Sequence, residues 1–365
     1  MGFNCGIVGL PNVGKSTLFN AITAAGAAAE NYPFCTIDPN VGVVPVPDKR
    51  LDALVDMYKP AKISPTAIEF VDIAGLVKGA SKGEGLGNQF LSHIRDVNAI
   101  CHVVRCFEDE NVVHVDGSVD PKRDIEVVET ELILKDTDTV EKKLSDAEKR
   151  SKGGDKKIRA EADYYAHIKD HLMGGRLAVY EKPSSPDEEF WLRDLHLLTA
   201  KPVMYIANVD EKHLNAEDGY VKQVRELAAK EGAKVVVACT KIESEIAVMP
   251  YAEREQFLRE LGVKESGLDQ VIHEGYALLK LITFFTAGPK EVRAWTIKRG
   301  SLAPQAAGEI HSDFERGFIR AEVMKYNDLV RLGSEQAVKE KGLMHIEGRE
   351  YLVEDGDIML FRFNV

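Results

Sequence analysis

The sequence lacks the features that mark membrane proteins, secreted disulfide-rich proteins and zinc proteins. Its 365 residues include five cysteines but no Cys-x-x-Cys pair, which argues against both a disulfide framework and a zinc site. No apolar run is long enough to cross a bilayer, and we expect no signal peptide because the start of the chain lacks a basic lead. We therefore expect a cytoplasmic protein with reduced thiols and no membrane contact.

Basic residues are also scarce relative to acidic ones. The 47 Lys and Arg residues are outnumbered by 59 Asp and Glu residues, and the formal net charge is -12. An acidic chain is a poor general binder of nucleic acid, so any contact with RNA must come from a local basic patch. The length and the 44% hydrophobic content allow a large core and more than one domain.

Short apolar runs alternate with helical patterns in the first third of the chain and again after residue 200. The runs CGIVGL, AIEFVDIAG, AICHVVRCF, PVMYIANV and AKVVVACT predict strands. Strands separated by helices predict a mostly parallel sheet that is covered on both faces. We therefore predict an α/β domain over residues 1–123 and 200–280.

Two further regions depart from this alternation. Residues 124–199 carry two charged amphipathic helices joined by a Gly-Gly turn, which predict an inserted, coiled-coil-like antiparallel hairpin. A third helix is expected to begin after the N-cap Ser185. Residues 281–365 predict a small β-grasp-like α+β domain, closed by a hairpin that turns at Asp355-Gly356.

The segment GLPNVGKST follows a predicted strand and opens a predicted helix. It matches Gly-x4-Gly-Lys-Ser, whose glycines let backbone N–H groups and a helix N-terminus surround a phosphate. We expect Lys15 to reach the β and γ phosphates as a catalytic residue and the Ser16 hydroxyl to bind Mg²⁺. An ordinary glycine-rich turn is the alternative. The expected phosphate-binding residues are Asn12, Val13, Gly14, Lys15, Ser16 and Thr17.

Two more segments are expected to complete the phosphate site. Asp72 ends a predicted strand and is expected to hold Mg²⁺, while Gly75 is expected to place its N–H on the γ-phosphate. Thr36, in the loop NYPFCTIDPN, would bind Mg²⁺ only when the γ-phosphate is present, which would make this loop a switch. An ordinary turn residue is the alternative for Thr36. The glycine-rich LVKGASKGEGLGNQFL would be a second switch.

The segments GLPNVGKST, DIAG and KGASKGEGLGNQFL, together with Thr36, resemble the Obg-related translation-factor P-loop proteins. Within this group the closest resemblance is to the YchF subfamily of Obg-like ATPases. It covers essentially the whole chain, including the helical insertion and a C-terminal domain similar to the TGS domain, in which HSDFERGFIRAEV is characteristic. The resemblance implies a G-type P-loop fold, ATP as the nucleotide and ribosome binding.

The segment YIANVDEKH stands where guanine-specific relatives carry Asn-Lys-x-Asp. Val209 replaces the Lys and Glu211 replaces the Asp. A carboxylate displaced by one methylene cannot reproduce the paired hydrogen bonds to guanine, and an unmet buried polar group costs about 1–3 kcal/mol. We expect adenine to be bound by Asn208 and by groups near Val209 and Cys239, with guanine discriminated against. A loop with little base selectivity is the alternative.

The residue that activates water is less evident. Ras-like GTPases carry a Gln after Asp-x-x-Gly to orient the attacking water, whereas this chain has Leu76. Hydrolysis is therefore expected to be slow or to use another group, for which His114 is favoured over His93 and His102. In related P-loop proteins an Asn at the position of Asn12 can help to hold K⁺; a loop-stabilising side chain is the alternative.

Two basic clusters are candidate contacts for RNA phosphates. The predicted hairpin tip, EKRSKGGDKKIR, contains Lys149, Arg150, Lys152, Lys156, Lys157 and Arg159. The C-terminal region adds Lys290, Arg293, Lys298, Arg299, Arg316 and Arg320. A solvated helix end would have the same composition as the tip. Because no base-reading motif is present, we expect shape and phosphate contacts and no sequence-specific binding of nucleic acid.

These features together predict a slow Mg²⁺-dependent ATPase that hydrolyses ATP to ADP and phosphate. Its two switches would report the nucleotide state to a ribosomal or protein partner. A GTP-specific translation-factor GTPase is one alternative. The other is a nucleotide-gated binding module whose hydrolysis is incidental.

Overall fold

The computed structural model describes residues 3–28, 40–73, 91, 93–216 and 218–364. Contacts divide the chain into two compact units. The first unit draws its described residues from 1–28, 37–42 and 69–271, and the second from 43–68 and 272–365. Residues 43–68, which the sequence predicts to lie in the α/β domain, thus belong by contacts to the second unit. No helix in the described part of the chain is long and apolar enough to span a membrane.

A six-stranded sheet with the order β2-β4-β1-β5-β6-β7 forms the centre of the α/β fold. Its strands are β1 (Asn4–Val8), β2 (Val41–Pro45), β4 (Ala67–Asp72), β5 (Ala99–Arg105), β6 (Val203–Asn208) and β7 (Lys234–Ala238). The pairs of β1 with β4, β1 with β5, β5 with β6 and β6 with β7 are parallel. All seven residues of β5 are buried, as expected for a parallel sheet covered on both faces. The predicted mostly parallel sheet is confirmed.

Parallel strands bring their carboxyl ends to one edge of the sheet, and this edge positions the site. Outside the insertion, the helices of the first unit whose full length is described connect these strands or follow the last one. They are α1 (Lys15–Ala28), α6 (Gly219–Glu231), α7 (Thr240–Ile246), α8 (Tyr251–Glu260) and α9 (Gly267–Leu278), the last of which continues into the second unit. Helices α1 and α7 pack against each other. The loops that precede them therefore lie side by side.

The insertion is an antiparallel pair of helices, α3 (Pro121–Ser151) and α4 (Lys156–Met173), followed by α5 (Pro186–Asp194). A core that includes Val140, Tyr165, Ile168 and Trp191 lies between them. The predicted N-cap of α5 is confirmed, since the Ser185 side chain accepts a hydrogen bond from the Glu188 N–H. The hairpin therefore has its own hydrophobic core.

The second unit contains another six-stranded sheet, in the order β11-β10-β12-β8-β9-β3. Its strands are β3 (Lys62–Ser64), β8 (Leu281–Ala287), β9 (Glu291–Lys298), β10 (Phe318–Lys325), β11 (His345–Glu347) and β12 (Asp357–Phe363). The accompanying helices are α2 (Lys49–Tyr58), α10 (Ala303–Ile310), α11 (Ser312–Arg316), α12 (Tyr326–Leu332) and α13 (Glu335–Glu340). Strand β3 joins this sheet by pairing in parallel with β9.

The predicted closing hairpin through Asp355-Gly356 is wrong. Strand β12 pairs antiparallel with β10, and Leu352 makes an isolated bridge to Leu302. The turn instead attaches to β8, because the Asp355 carboxylate accepts a hydrogen bond from the Thr283 N–H and the Gly356 N–H donates to the Thr283 carbonyl. These tertiary hydrogen bonds replace the local strand pairing.

Candidate functional site

The phosphate loop joins β1 to α1 and needs glycine at two positions. The backbone of Gly9 and of Gly14 has positive φ, 154° and 101°. A Cβ at Gly9 would lie 2.5 Å from the Val103 carbonyl oxygen, and one at Gly14 would lie 2.3 Å from Asn208 Nδ2. These short distances leave no room for a side chain at Gly9 or Gly14. The two glycines therefore let the loop pack closely against the neighbouring strand ends.

Lys15 is buried inside this loop. Its Nζ donates to the Leu10 carbonyl at 2.6 Å, and its side chain is largely shielded from water. Burial lowers the pKa of Lys15 to about 8, an effect that the nearby Asp72 carboxylate opposes. The ammonium is thus held in the loop by a neutral acceptor, which an anionic ligand could replace.

Asp72 ends β4, the strand adjacent to β1. Burial raises the pKa of Asp72, against the opposing effect of the Lys15 charge. Its Oδ1 atom is buried without a hydrogen-bond partner. Among the described residues, only one other side-chain nitrogen or oxygen atom is buried without a partner. Buried carboxylate oxygens are normally hydrogen-bonded or bound to a metal. Ser16, which follows Lys15 at the exposed start of α1, offers a hydroxyl.

Asn208, at the end of β6, connects three loops. Its Nδ2 donates to the Val13 carbonyl at 2.8 Å, and its Oδ1 accepts from the Thr240 N–H at 3.1 Å. The side chain is 2% exposed. A carboxamide has two N–H groups and two acceptor lone pairs, so one of each remains for a ligand. The structure thus brings Asn208 to the phosphate loop, as well as to the loop that precedes α7.

The other predicted base-binding residues lie around Asn208 but differ in exposure. Val209 packs in the core between β6, β7 and α6, and its N–H donates to the Ala238 carbonyl at 3.0 Å. Cys239 is buried immediately before α7. Glu211 begins a short 3₁₀ turn, Glu211–His213, and is exposed. Val209 and Cys239 thus lie in the buried part of this region, and the Glu211 carboxylate lies at its exposed edge.

His114 lies in the loop between β5 and α3 and is buried. Its Nε2 is 2.8 Å from Asp124 Oδ2, and its Nδ1 accepts from the Asp116 N–H at 3.1 Å. The neighbouring Val113 carbonyl accepts a hydrogen bond of 3.1 Å from Asn12 Nδ2 in the phosphate loop. The loop that carries His114 is therefore attached to the phosphate loop, and Asn12 has the loop-stabilising contact that was the alternative to a K⁺ ligand.

The two other histidines occupy different surroundings. His102 is buried within β5, where burial and, secondarily, the charge of Lys15 lower its pKa to about 3. Its ring packs at 5.6 Å from the ring of Tyr205. His93 is exposed. A neutral, enclosed imidazole such as that of His102 has the features of a core residue.

Thr36, Gly75 and Leu76 lie outside the described residues, as does most of the predicted second switch. Two side chains without a motif, Arg105 and Asp124, contact the loop that carries His114. A charged residue at the end of the otherwise apolar AICHVVR is a sequence signal for Arg105. Asp124 carries no such signal, because an acidic residue in the first turn is common to many helices.

The loop and its surroundings define a class of protein. A strand that leads through Gly-x4-Gly-Lys-Ser into a helix, beside a strand that ends in aspartate, is the arrangement of a P-loop NTPase. A family model described as 50S ribosome-binding GTPase matches residues 4–134. A model for a YchF-type GTPase C-terminal region, described as a protein of unknown function, matches residues 281–364.

Full-length relatives identify the family. The chain is 56% identical to the ribosome-binding ATPase YchF of Escherichia coli O157:H7 and 55% identical to that of Bacillus subtilis strain 168, each over 100% of both chains. It is 49% identical to Obg-like ATPase 1 of Gallus gallus, over 98% of this chain and 92% of the relative. The solved structure of the Schizosaccharomyces pombe YchF GTPase matches with a TM-score of 0.89 and 39% identity, covering 99% of this chain and 98% of that one. The chain belongs to the YchF family of Obg-like ATPases.

Proposed function

We propose that this protein is a slow Mg²⁺-dependent ATPase that hydrolyses ATP to ADP and phosphate and associates with the ribosome in the cytoplasm. One observation carries the proposal. Asn208 joins the phosphate loop to a base loop in which Val209 and Glu211 stand in place of Lys and Asp. The names of the bacterial relatives, ribosome-binding ATPases, support the same reaction and partner.

The proposed nucleotide-binding domain comprises residues 1–123 and 200–280, with the helical insertion at 124–199 and a TGS-like domain at 281–365. Within the first, Lys15 would exchange the Leu10 carbonyl for the β and γ phosphates. This exchange is favourable because a desolvated ammonium gains a charged acceptor in place of a neutral one. The remaining phosphate contacts would come from the N–H groups of Asn12, Val13, Gly14, Ser16, Thr17 and Gly75.

Ser16, Thr36 and Asp72 would hold Mg²⁺. The unpartnered, buried Oδ1 of Asp72 supports this assignment, since carboxylate and hydroxyl oxygens are the ligands that Mg²⁺ prefers. When bound, Mg²⁺ would neutralise charge on the β and γ phosphates. The Asn12 amide nitrogen contacts Val113, which favours the loop-stabilising role of Asn12, and the proposal does not depend on K⁺.

Adenine would occupy the loop around Asn208, Val209 and Cys239. Asn208 keeps one N–H and one lone pair for the amino group and ring nitrogen of adenine. Guanine would need two adjacent N–H groups to meet one carboxylate, and Glu211 is one methylene too long for this geometry. Leaving such groups unpaired costs about 1–3 kcal/mol, which is enough to remove a preference for guanine.

His114 would take a proton from the attacking water. Its loop is bound to the phosphate loop through Asn12 and Val113, whereas His102 is enclosed within the sheet. With Leu76 in place of glutamine, no side chain at that position can orient water. Slow turnover follows from this arrangement, because His114 must first exchange its hydrogen bond from the Asp116 N–H to act.

Calorimetric titration with non-hydrolysable analogues of ATP and GTP tests the nucleotide. The names of the relatives include both ATPases and a GTPase, so the comparison is informative. We expect the ATP analogue to bind more tightly; tenfold tighter binding of the GTP analogue would refute the proposal.

Turnover measurements on His114→Ala test the enzyme assignment. Loss of turnover with unchanged ribosome binding and cellular effect would favour the binding-module alternative.

A further inference from the structure

The loop between β5 and α3 is held by a buried arginine. The Arg105 guanidinium donates to the carbonyls of Phe107, Asp109 and Val112 at 3.0, 3.3 and 2.9 Å. Arg105 is 2% exposed, and its guanidinium lies 4.7 Å from the centre of the Phe107 ring. A buried guanidinium that donates its hydrogen bonds to the carbonyls of one loop gives that loop a defined conformation. Arg105 therefore holds the part of the loop that leads to His114.

The contacts of His114 assign its tautomer. Asp124 Oδ2 lies 2.8 Å from Nε2, and the second oxygen, Oδ1, accepts from Arg123 Nη2 at 3.0 Å. A carboxylate paired with arginine is an acceptor, so Nε2 must carry the hydrogen. Nδ1 accepts from the Asp116 N–H and therefore carries none. The imidazole is held as the neutral Nε2–H form.

The position of Arg123 argues against a metal site near His114. Ligand-type atoms of His114, Asp116 and Asp124 lie within 4.8 Å of one another, as in some metal sites. The Arg123 guanidinium is 3.0 Å from Asp124 and 3.7 Å from Asp116. It thus already supplies positive charge between the two carboxylates. The cluster is better described as a histidine held by an aspartate, which is itself held by an arginine.

We propose that Asp124 is the positioning residue for His114. By fixing hydrogen on Nε2, it leaves Nδ1 as the basic atom, and its negative charge stabilises the imidazolium that forms. Nδ1 becomes able to bind water when its hydrogen bond from the Asp116 N–H is replaced by one from a water molecule. Asp116 lies in an exposed turn, in which the Gly117 N–H donates to the His114 carbonyl. The Asp124 contact is retained in this exchange. This inference rests on the proposed role of His114 in hydrolysis.

The proton and electron pairs balance in this step. Water transfers one proton to Nδ1 as its oxygen forms a bond to the γ-phosphorus. The bond from the γ-phosphorus to the bridging oxygen breaks, and its electron pair leaves with ADP. The imidazolium then returns the proton to inorganic phosphate, which restores the neutral Nε2–H form.

Asp124→Asn tests the proposal with an isosteric side chain. Arg123 will keep the oxygen of the new amide facing it, so the amide nitrogen will face Nε2 and drive the hydrogen to Nδ1. We expect ¹⁵N chemical shifts of His114 to report this change of tautomer. Turnover should fall at least about tenfold and at most by the 10²–10⁴-fold that acid–base catalysis contributes, while affinity for a non-hydrolysable ATP analogue stays unchanged.

Asp120→Asn is the matched control. Asp120 caps α3 by accepting from the Arg123 N–H at 3.2 Å, and asparagine caps a helix equally well. This variant should keep the His114 tautomer and the turnover of the parent protein. Asp124→Glu retains the carboxylate and should keep the Nε2–H tautomer. If Asp124→Asn does not fold, the tautomer of His114 in Asp124→Glu can still be measured.

A double-mutant cycle separates positioning from general damage. In a His114→Ala background, Asp124→Asn should lower turnover no further, because Asp124 acts through the imidazole. An equal loss in both backgrounds, or an unchanged tautomer in Asp124→Asn, would overturn the inference. If His114→Ala alone kept full turnover, the proposed role of His114 would fall, and the tautomer measurement would still decide whether Asp124 fixes the ring.

Discussion

At the scale of single residues, Asn208 connects two loops of the proposed nucleotide site. Its side chain joins the Val13 carbonyl of the phosphate loop to the Thr240 N–H at the start of α7. A shift in either loop would lengthen one of these hydrogen bonds. The proposed phosphate site and the proposed base site therefore share one buried amide.

Glu211→Asp should shift base preference toward guanine. Shortening the side chain by one methylene restores the acid found in guanine-specific relatives, although Val209 stays in place of Lys. We expect the affinity for a GTP analogue, relative to an ATP analogue, to rise about tenfold, equivalent to about 1.4 kcal/mol. Calorimetric titration measures both affinities. Glu226→Asp, on the exposed surface of α6, is the control, and an unchanged affinity ratio in Glu211→Asp would contradict the proposed base site.

At the scale of secondary-structure elements, α3 is attached at its middle by Asp136. The carboxylate accepts from the N–H groups of Leu198 and Thr199 at 2.9 and 2.8 Å and from the Thr199 hydroxyl at 2.7 Å. Asp136 is 1% exposed. This one side chain satisfies three donors where the insertion returns to the sheet.

Asp136→Ala should therefore destabilise the first unit. The substitution leaves three buried donors unpaired, and we expect the free energy of unfolding to fall by about 3 kcal/mol. Urea unfolding followed by circular dichroism measures this change. Asp138→Ala lies on the exposed face of the same helix and should cost less than about 0.5 kcal/mol. Equal stability of the two variants would show that the three hydrogen bonds contribute little.

A pair of acids connects α3 to α6. The Tyr205 hydroxyl lies 3.0 Å from Glu129 Oε1 and 2.6 Å from Glu231 Oε2. Burial, and then the charge of Glu231, raise the pKa of Glu129 to about 8, with a smaller effect from Glu126. One hydroxyl has one hydrogen to donate. The pair is therefore satisfied best when Glu129 is protonated.

Stability should consequently fall as pH rises through the range between the ordinary glutamate pKa of about 4.3 and about 8. In this range the folded protein holds a proton on Glu129 that the unfolded chain has released, so raising the pH favours unfolding. Glu129→Gln should flatten this part of the profile and be more stable than the parent protein at the alkaline end. Urea midpoints measured across pH test the sign. Glu148→Gln, exposed on α3, should leave the slope unchanged.

At the scale of the whole molecule, the protein is acidic but carries basic residues at the hairpin tip. Lys149, Arg150 and Lys157 form ion pairs with Asp146, Glu161 and Asp187. The other three basic residues of the tip are exposed and form no ion pair with the residues that the structure describes. These three are Lys152, Lys156 and Arg159. They are the cations of the tip most available to phosphates of ribosomal RNA.

Replacing these three residues with glutamine should weaken ribosome binding. We expect the salt dependence of log K to flatten by about one unit for each RNA phosphate that is no longer neutralised. Basal ATP turnover should stay the same, because the tip contains no residue of the proposed nucleotide site. Cosedimentation with ribosomes at several salt concentrations measures the slope. The control removes the same charge at Lys222, Lys230 and Lys234, and equal weakening in both variants would show a net-charge effect instead of a local one.

Much of the fold and of the site could be predicted because the signals are local. The alternation of strands and helices predicts the parallel sheet, and the segment from Gly9 to Ser16 predicts the phosphate loop. Asp72 follows from its place at a strand end. The closing hairpin was wrong because Asp355 and Gly356 bind Thr283. A turn motif does not reveal which strand its polar groups will meet.

By itself, the sequence determined the phosphate loop, the helical insertion, the altered base motif and the family resemblance, since each depends on residues near one another in the chain. Only the tertiary structure decided which distant groups meet. Asn208 reaches Val13 across 195 positions, and β3 joins β9. The physical reason is that a buried polar group must find a partner, and chain packing alone determines which partner lies within reach.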